Sequence, residues 1–383
     1  MPILGIDASR AVKKEKTGVE WYSWHLLQAM QKLAPPDWRV RLYVPEEIGN
    51  WKLEIRNWQW RVLKWIGRGW TQGRLSLEMM KSPPDILFVP SHTIPLVHPE
   101  RTVTTVHDVV FARHPELYDP KDLKAQKRGL DFALKFARKI IVPSKATREE
   151  VVRAGAREEQ VVVVPHGVGV GDWGLVNSLI QNESSNQPIN QSTNQRYILF
   201  IGRIEKKKNV LGLVQAFRRL MHNAPQPPLT LRGGDELKLV LAGSLGYGAE
   251  DVLQAIKTFK LEDRVIHLGY VERAQYQTLL KNAALLASPS FGEGFGFPVL
   301  EAMAAGVPVV CADLPVLHEV GGNAAQYVNP RDPEDIARGI EGVLQNEMLQ
   351  SEMIKRGKEI AAEFTWEKTA RETWNVLCNI AGR

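Results

Sequence analysis

The sequence predicts an α/β protein of two domains, each a doubly wound parallel sheet, on three observations. At 383 residues the chain exceeds what one hydrophobic core usually organises. Short, near-continuous apolar runs rich in Val, Ile and Leu alternate with amphipathic stretches of helical period, the pattern of βαβ units buried on both sheet faces. That alternation breaks once, at residues 177–195, and then restarts.

The first half opens with ILGID (3–7), read as a buried strand. Residues 18–33 follow as a helix, with Trp21, Trp24, Leu27, Ala29 and Met30 as its apolar positions. RVRLYV (39–44) alternates like a strand, and apolar runs recur at 86–89, 102–106 and 139–142. Helical patterns fall at 121–137 and 144–154, the second capped by Ser144. VVVV (161–164) closes the half at Pro165-His166-Gly167. The break at 177–195 is almost wholly Asn, Gln and Ser, with too little apolar surface to offset its ordering entropy, and reads as a flexible insertion. The second half then alternates regularly. Strands are expected at 197–201, 237–242, 264–268, 284–288 and 307–311, with helices at 209–221, 249–260, 273–282 and 298–305.

Composition narrows the class. Hydrophobic residues make up 44% and charged residues 24%, which excludes a collagen-like, coiled-coil or wholly disordered chain. The longest stretch without Asp, Glu, Lys or Arg is 86–99, too short and too rich in proline for a membrane span. Two cysteines, Cys311 and Cys378, build no disulfide framework, and Asp7 interrupts any signal-like start. The expected location is therefore the cytoplasm. Residues 1–170 carry 27 Lys and Arg against 19 Asp and Glu, so the basic half has either an anionic partner or simply solvated lysines.

Candidate chemistry collects where strands end. In SPSFGEGFGFPVLEAMAAGVPVV (288–310), Gly292, Gly294 and Gly296 let backbone approach a ligand, and Pro298 marks a helix start whose N–H groups favour an anion such as a diphosphate. Glu293 and Glu301 would repel phosphate and more plausibly accept bonds from hydroxyls, although Glu301 alone reads as well as a helix-start carboxylate. In GRIEKKKN (202–209), Arg203 and Lys208 stand at a strand's carboxyl end and can neutralise a diphosphate, while Lys206 and Lys207 read as an exposed basic turn. His107 and Asp108 follow the strand of TVTTVHDVVFARHPE (102–116). There His107 either meets a substrate hydroxyl or is satisfied by a neighbouring loop. Gly18 in KTGVEW (16–21) opens a helix after the first strand.

Several chemistries lack their signature. No G-x-G-x-x-G follows the first strand of either half, and neither a G-x-x-x-x-G-K-[ST] loop nor a G-x-S-x-G elbow occurs. The absence of any D-x-D triplet gives no indication of a carboxylate-held divalent metal.

Taken together, GIDASR, VHDVVFARHPE, VPSKATREEV, VPHGV, GRIEKKKN and the stretch 284–329 resemble the retaining glycosyltransferases of family 4. The resemblance implies the GT-B fold of two facing Rossmann-like domains: an acceptor-side domain at 1–170, a linker at 171–195, and a nucleotide-sugar domain at 196–365. A C-terminal helix at 366–383 would cross back to the first domain. It implies that Arg203 and Lys208 bind the donor diphosphate, Glu301 the ribose and Glu293 the sugar hydroxyls. Backbone N–H groups of Gly294, Phe295 and Gly296 would lie near the phosphates. His107 would contact the sugar near the reacting carbon, and Gly18 would line the same cleft.

The implied activity is metal-independent, retaining transfer of a hexose from a nucleotide-diphosphate sugar, used as co-substrate with no cofactor. The acceptor would be a glycan or lipid-linked molecule in cell-surface polysaccharide or glycolipid synthesis, and the look of VHDVVFARHPE favours mannose. Another GT-B enzyme such as a sugar-nucleotide epimerase, or an idle polyanion- or lipid-binding scaffold, is the alternative. Residues 51–74 hold five Trp and six Lys or Arg. They would either seat on the inner face of an anionic membrane or supply core tryptophans; no motif for nucleic acid accompanies them.

Overall fold

A computed structural model describes residues 1–47, 57–65, 69–169, 197–223 and 236–382. The insertion at 177–195 and Trp51 lie outside the described residues. The chain forms two compact units. The first comprises Met1–Pro115, Pro120–Gly167 and Phe364–Arg383; the second comprises Glu116–Asp119 and Val168–Glu363.

The first unit is built on seven parallel strands: β1 (Ile3–Asp7), β2 (Arg39–Val44), β3 (Trp58–Val62), β4 (Ile86–Val89), β5 (Thr102–Thr105), β6 (Lys139–Val142) and β7 (Val161–Val163). Their order across the sheet is β3-β2-β1-β4-β5-β6-β7. Its helices are α1 (Gly18–Lys32), α2 (Ser76–Lys81), α3 (Val110–Arg113), α4 (Pro120–Phe136), α5 (Lys145–Arg153) and, from the far end of the chain, α13 (Trp366–Ala381). β4 is buried at every position, which is why its sequence, ILFV, is an unbroken apolar run rather than an alternating one. Ser144 caps α5, its Oγ accepting from the Thr147 N–H at 3.0 Å. α13 packs on α1. The Trp374 indole N–H donates to Met30 O at 3.1 Å, and the ring stands edge-on to Trp38.

The second unit has six parallel strands: β8 (Ile198–Ile201), β9 (Leu239–Ala242), β10 (Val265–Gly269), β11 (Leu285–Ser288), β12 (Val309–Ala312) and β13 (Ala325–Val328), in the order β10-β9-β8-β11-β12-β13. Its helices are α6 (Val210–Asn223), α7 (Ala249–Thr258), α8 (Arg273–Asn282), α9 (Phe297–Ala305), α10 (Pro315–Gly321), α11 (Pro333–Gln345) and α12 (Glu347–Ala362). A core of Phe200, Leu213, Phe217, Leu239, Leu241, Ile336 and Ile340 joins β8 and β9 to α6 and α11.

In both sheets the strand order reverses beside the first strand, between β1 and β4 and between β8 and β11. Loops leaving neighbouring strands at that point diverge to opposite faces, leaving a crevice at the carboxyl ends where ligands of such sheets bind. The motif-bearing loops after β1, β8 and β11 leave from this edge.

The described part of 51–74 divides between core and surface. Trp58 and Trp70 are buried, the Trp70 indole N–H donating to Leu63 O at 2.9 Å, so neither can meet a membrane. Trp65 is 39% exposed. Among the described residues no helix is long and apolar enough to cross a bilayer.

Candidate active site

In the second unit, β8 is fully buried and delivers the chain to Gly202 at its carboxyl end. The Gly202 N–H continues the ladder to Ala242 O at 3.0 Å, and this loop lies so close to the one after β9 that a Cβ on Gly243 would sit 1.9 Å from Gly202 O. Lys206–Lys208 form one 3-10 turn, ended by Asn209 in the left-handed conformation (φ 52°). Asn209 is buried, and its Nδ2 donates to Pro289 O (3.0 Å) and Pro330 O (2.6 Å) while Oδ1 accepts from the Gly212 N–H (3.3 Å). One side chain therefore ties together the loops after β8, β11 and β13.

The turn presents Lys208 to the loop after β11. Its Nζ donates to both oxygens of Glu293 at 2.7 and 2.8 Å, and the Ser290 hydroxyl donates to Glu293 Oε1 at 2.7 Å. The side chains of Lys208 and Glu293 are 18% and 8% exposed. A backbone bond, from Phe291 N–H to Lys207 O at 2.8 Å, also holds the two loops in register. The pair thus has its charge matched and its geometry fixed, with one edge open to solvent. Just beyond, Gly296 (φ 97°) precedes α9, whose first turn contains Pro298. Phe295 is buried and stands edge-on to Phe297, so its backbone rather than its ring is what this segment offers a ligand.

Glu301 lies in a second cluster. Its carboxylate accepts from Arg273 Nη1 at 2.7 Å and from the Tyr276 hydroxyl, both on α8. Burial drives the Tyr276 phenol pKa up, as does the neighbouring Glu301 charge, so the phenol keeps its proton as a donor. Arg203 is not joined to either cluster by a bond. Its side chain is 58% exposed, Nε 3.9 Å from Glu205 Oε2, and it lies over Gly246. That leaves an accessible guanidinium beside the Lys208 turn.

His107 and Gly18 belong to the first unit. Gly18 starts α1, and the helix is anchored by Glu20, whose carboxylate accepts from the Thr17 N–H (3.2 Å), the Thr17 hydroxyl, Arg10 (3.0 Å) and Lys13 (3.1 Å). Burial alone would raise the Glu20 pKa, but the Thr17 hydroxyl and the two cations prevail and hold it at about 2. His107 stands two residues past the end of β5. Its Nε2 lies 3.1 Å from Pro90 O and its Nδ1 3.2 Å from His166 Nε2, with the Tyr22 ring edge-on to it at 4.7 Å. Burial lowers the His107 pKa to about 4, so the ring is neutral at physiological pH, unlike a proton shuttle poised near 7.

Lys208 and Glu293 are thus brought into direct contact, whereas Glu301 and Arg203 take separate partners in the same unit. Sequence reasoning missed Ser290, Asn209, Arg273, Tyr276 and His166 as members of these clusters. Ser290, Asn209 and His166 sit inside the quoted motifs and could have been flagged there. Arg273 and Tyr276 carry only an i, i+3 spacing, which marks one helix face and nothing more.

Comparison with known proteins places this arrangement. Residues 16–171 match the family model described as Glycosyltransferase Family 4, and residues 181–360 match that of Glycosyl transferases group 1. The chain is 32% identical over 280 residues to the O-antigen chain mannosyltransferase B of Escherichia coli, covering 72% of this chain and 70% of that protein. Its fold resembles sucrose-phosphate synthase from Thermosynechococcus elongatus, with a TM-score of 0.74, 16% identity and full coverage of both chains. It also resembles Anabaena Alr3699/HepE in complex with UDP and glucose, with a TM-score of 0.70, 19% identity, and coverage of 99% of this chain and all of that one. With two parallel sheets of reversing strand order, both family models and this level of identity, the chain is a glycosyltransferase of the GT-B fold and belongs to family 4, the group 1 glycosyl transferases.

Proposed function

We propose that this glycosyltransferase moves a hexose, with mannose favoured, from a nucleotide-diphosphate sugar to a glycan or lipid-linked acceptor in cell-surface polysaccharide or glycolipid synthesis, with retention of anomeric configuration. The observation that carries the reading is the Lys208–Glu293 pair at the carboxyl edge of the second sheet, where strand order reverses. It offers a cation for a diphosphate and a carboxylate for sugar hydroxyls within one hydrogen bond of each other. The mannosyltransferase relative supports the sugar and the acceptor class, and the UDP-bound neighbour supports a nucleoside diphosphate as leaving group.

In this reading the bond from the anomeric carbon to the diphosphate oxygen breaks, and one to the acceptor oxygen forms on the same face. The acceptor proton passes to the departing diphosphate. Lys208, Arg203 and the N–H groups around Gly294, Phe295 and Gly296 stabilise the charge that develops there, without a metal. Glu301, fixed by Arg273 and Tyr276, holds the ribose. His107 contacts the sugar as a neutral group, and Gly18 is a donor-binding residue. A thermal-shift panel of UDP, GDP, ADP and dTDP tests the donor class, since a ligand of the folded state raises its melting temperature. One nucleotide is expected to stand out; no shift with any of the four contradicts the reading. Transfer from the matching sugar nucleotide, unaffected by a chelator and abolished in Glu293→Ala, completes the test. A second reading, an anionic-membrane contact through 51–74, draws on exposed Trp65 and Lys64 and is tested by co-sedimentation with anionic vesicles at low salt.

A further inference from the structure

We infer that His166 is a positioning residue for transfer, donating its Nε2–H to His107 Nδ1 and thereby setting the tautomer and ring orientation of His107. The inference rests on the proposed contact between His107 and the donor sugar. Its first support is a matter of hydrogen-bond roles. The Pro90 carbonyl can only accept, so the His107 Nε2 that lies 3.1 Å from it carries hydrogen. In a neutral imidazole Nδ1 is then a lone pair, and the group 3.2 Å from it, His166 Nε2, must bring the proton. Both rings are neutral, because burial lowers both pKa values, and His107 lowers that of His166 further. The bonds therefore run in one direction, from His166 to His107 to Pro90 O.

The second support is packing. Tyr22 lies against both rings, at 4.7 Å from His107 and 4.2 Å from His166, and its own hydroxyl is engaged with Thr105 Oγ1 at 3.2 Å. His166 itself is buried, and the next residue, Gly167, is pressed against the start of α13, where a Cβ would meet Trp366 N at 2.3 Å. The backbone on both sides of His166 is thereby held by α13, since Pro165 O also accepts from the Thr369 hydroxyl at 2.8 Å, and this fixes where the ring meets His107. The one N–H of His107 is then at Nε2, where a sugar oxygen meets it only as a second acceptor beside Pro90 O. Nδ1 is closed to proton transfer.

The test uses the full chain labelled with 15N-histidine, with the His107 signals assigned by their loss in His107→Ala. In the wild type, long-range proton–nitrogen spectra are expected to show a protonated Nε2 and an unprotonated Nδ1 on His107. His166→Phe, which keeps a flat ring but no donor, should give a mixture of tautomers and lower kcat by about tenfold, the worth of one neutral hydrogen bond, with KM for the donor unchanged. His166→Gln, which restores an N–H donor, should recover most of both. A protonated Nδ1 in the wild type overturns the inference, and that spectrum suffices if His166→Phe fails to fold. So does an unchanged tautomer or kcat in His166→Phe. Normal turnover in His107→Ala would instead overturn the sugar-contact reading, and the spectra would still decide the tautomer.

Discussion

Replacing Lys208 with methionine keeps an unbranched side chain one atom shorter and removes the charge. In the folded chain Glu293 loses two short bonds and retains the Ser290 hydroxyl, while its side chain stays 8% exposed. Orphaning one member of a buried ion pair costs about 3–5 kcal/mol. With nearly a fifth of Lys208 exposed, water reaches the site and the lower end, about 3 kcal/mol, applies. For a unit of this size that corresponds to a fall of roughly 6–12 °C in Tm. Adding Glu293→Gln removes the orphaned charge, so the double variant should regain most of the loss. Nucleotide binding should behave differently. A charge-assisted hydrogen bond to phosphate is worth about 1.5–3 kcal/mol, so Lys208→Met weakens the best nucleoside diphosphate by roughly 10- to 150-fold. The double variant should bind just as poorly. Thermal denaturation and titration calorimetry on the two single variants and the double one separate the effects. Wild-type affinity in the double variant, or an unchanged Tm and affinity in Lys208→Met, would refute the reasoning.

Three further outcomes follow from the same structure. Glu20 has its pKa lowered from 4.5 to about 2 on folding, so its stabilisation is present above pH 4.5 and is lost as pH falls towards 2. The shift corresponds to at most about 3 kcal/mol, reduced by solvent screening of the half-exposed Arg10 and Lys13. Glu20→Gln should therefore lower Tm at neutral pH and converge with the wild type near pH 2; a constant offset at every pH would contradict this. Asn209→Ala loses three hydrogen bonds and forces a Cβ-bearing residue without a polar side chain into a left-handed conformation, at a cost of about 3 kcal/mol. Asn209→Gly, free of that strain, should melt higher than Asn209→Ala, and equal Tm values would count against the assigned strain. Trp374→Ala removes a buried ring packed on Trp38 and should destabilise the first unit by about 3–5 kcal/mol. Hydrogen exchange should show the loss confined to β1–β7 and α1, with nucleotide affinity retained.

Most strands were legible because parallel sheets covered on both faces demand unbroken apolar runs, and ILGID, ILFV, KIIV and YILFI satisfy that directly. Helix ends shifted by one or two residues, as at α1 and α4, where fraying makes the last turn ambiguous. β3 was obscured by its composition. WQWRV alternates buried and open positions at the sheet edge, and its tryptophans read equally well as surface anchors. The helices α10, α11 and α12 and the strand β13 escaped because the alternation weakens after 311. β13 is only partly buried, and α10 is a short helix started by proline.

The site was legible to the extent that loops announce themselves. Glycines and charges directly after apolar runs mark strand ends, and Lys208 and Glu293, 85 residues apart, do meet there. Partner choice was not legible. Nothing in the spacing says that Glu301 is held by Arg273 and Tyr276, or that His166 reaches His107 across 59 residues, since such pairings depend on which helix covers which strand. The basic turn of GRIEKKKN also hid its structural residue, Asn209, because a left-handed residue is signalled by backbone geometry rather than by charge.

The most direct measurement is a crystal structure of the chain bound to the nucleoside diphosphate that stabilises it most. The account predicts diphosphate oxygens within hydrogen-bond distance of Lys208 Nζ, at the loops after β8 and β11, with ribose hydroxyls on Glu301. A nucleotide seated elsewhere in the second unit, with Lys208 bonded only to Glu293, would contradict it.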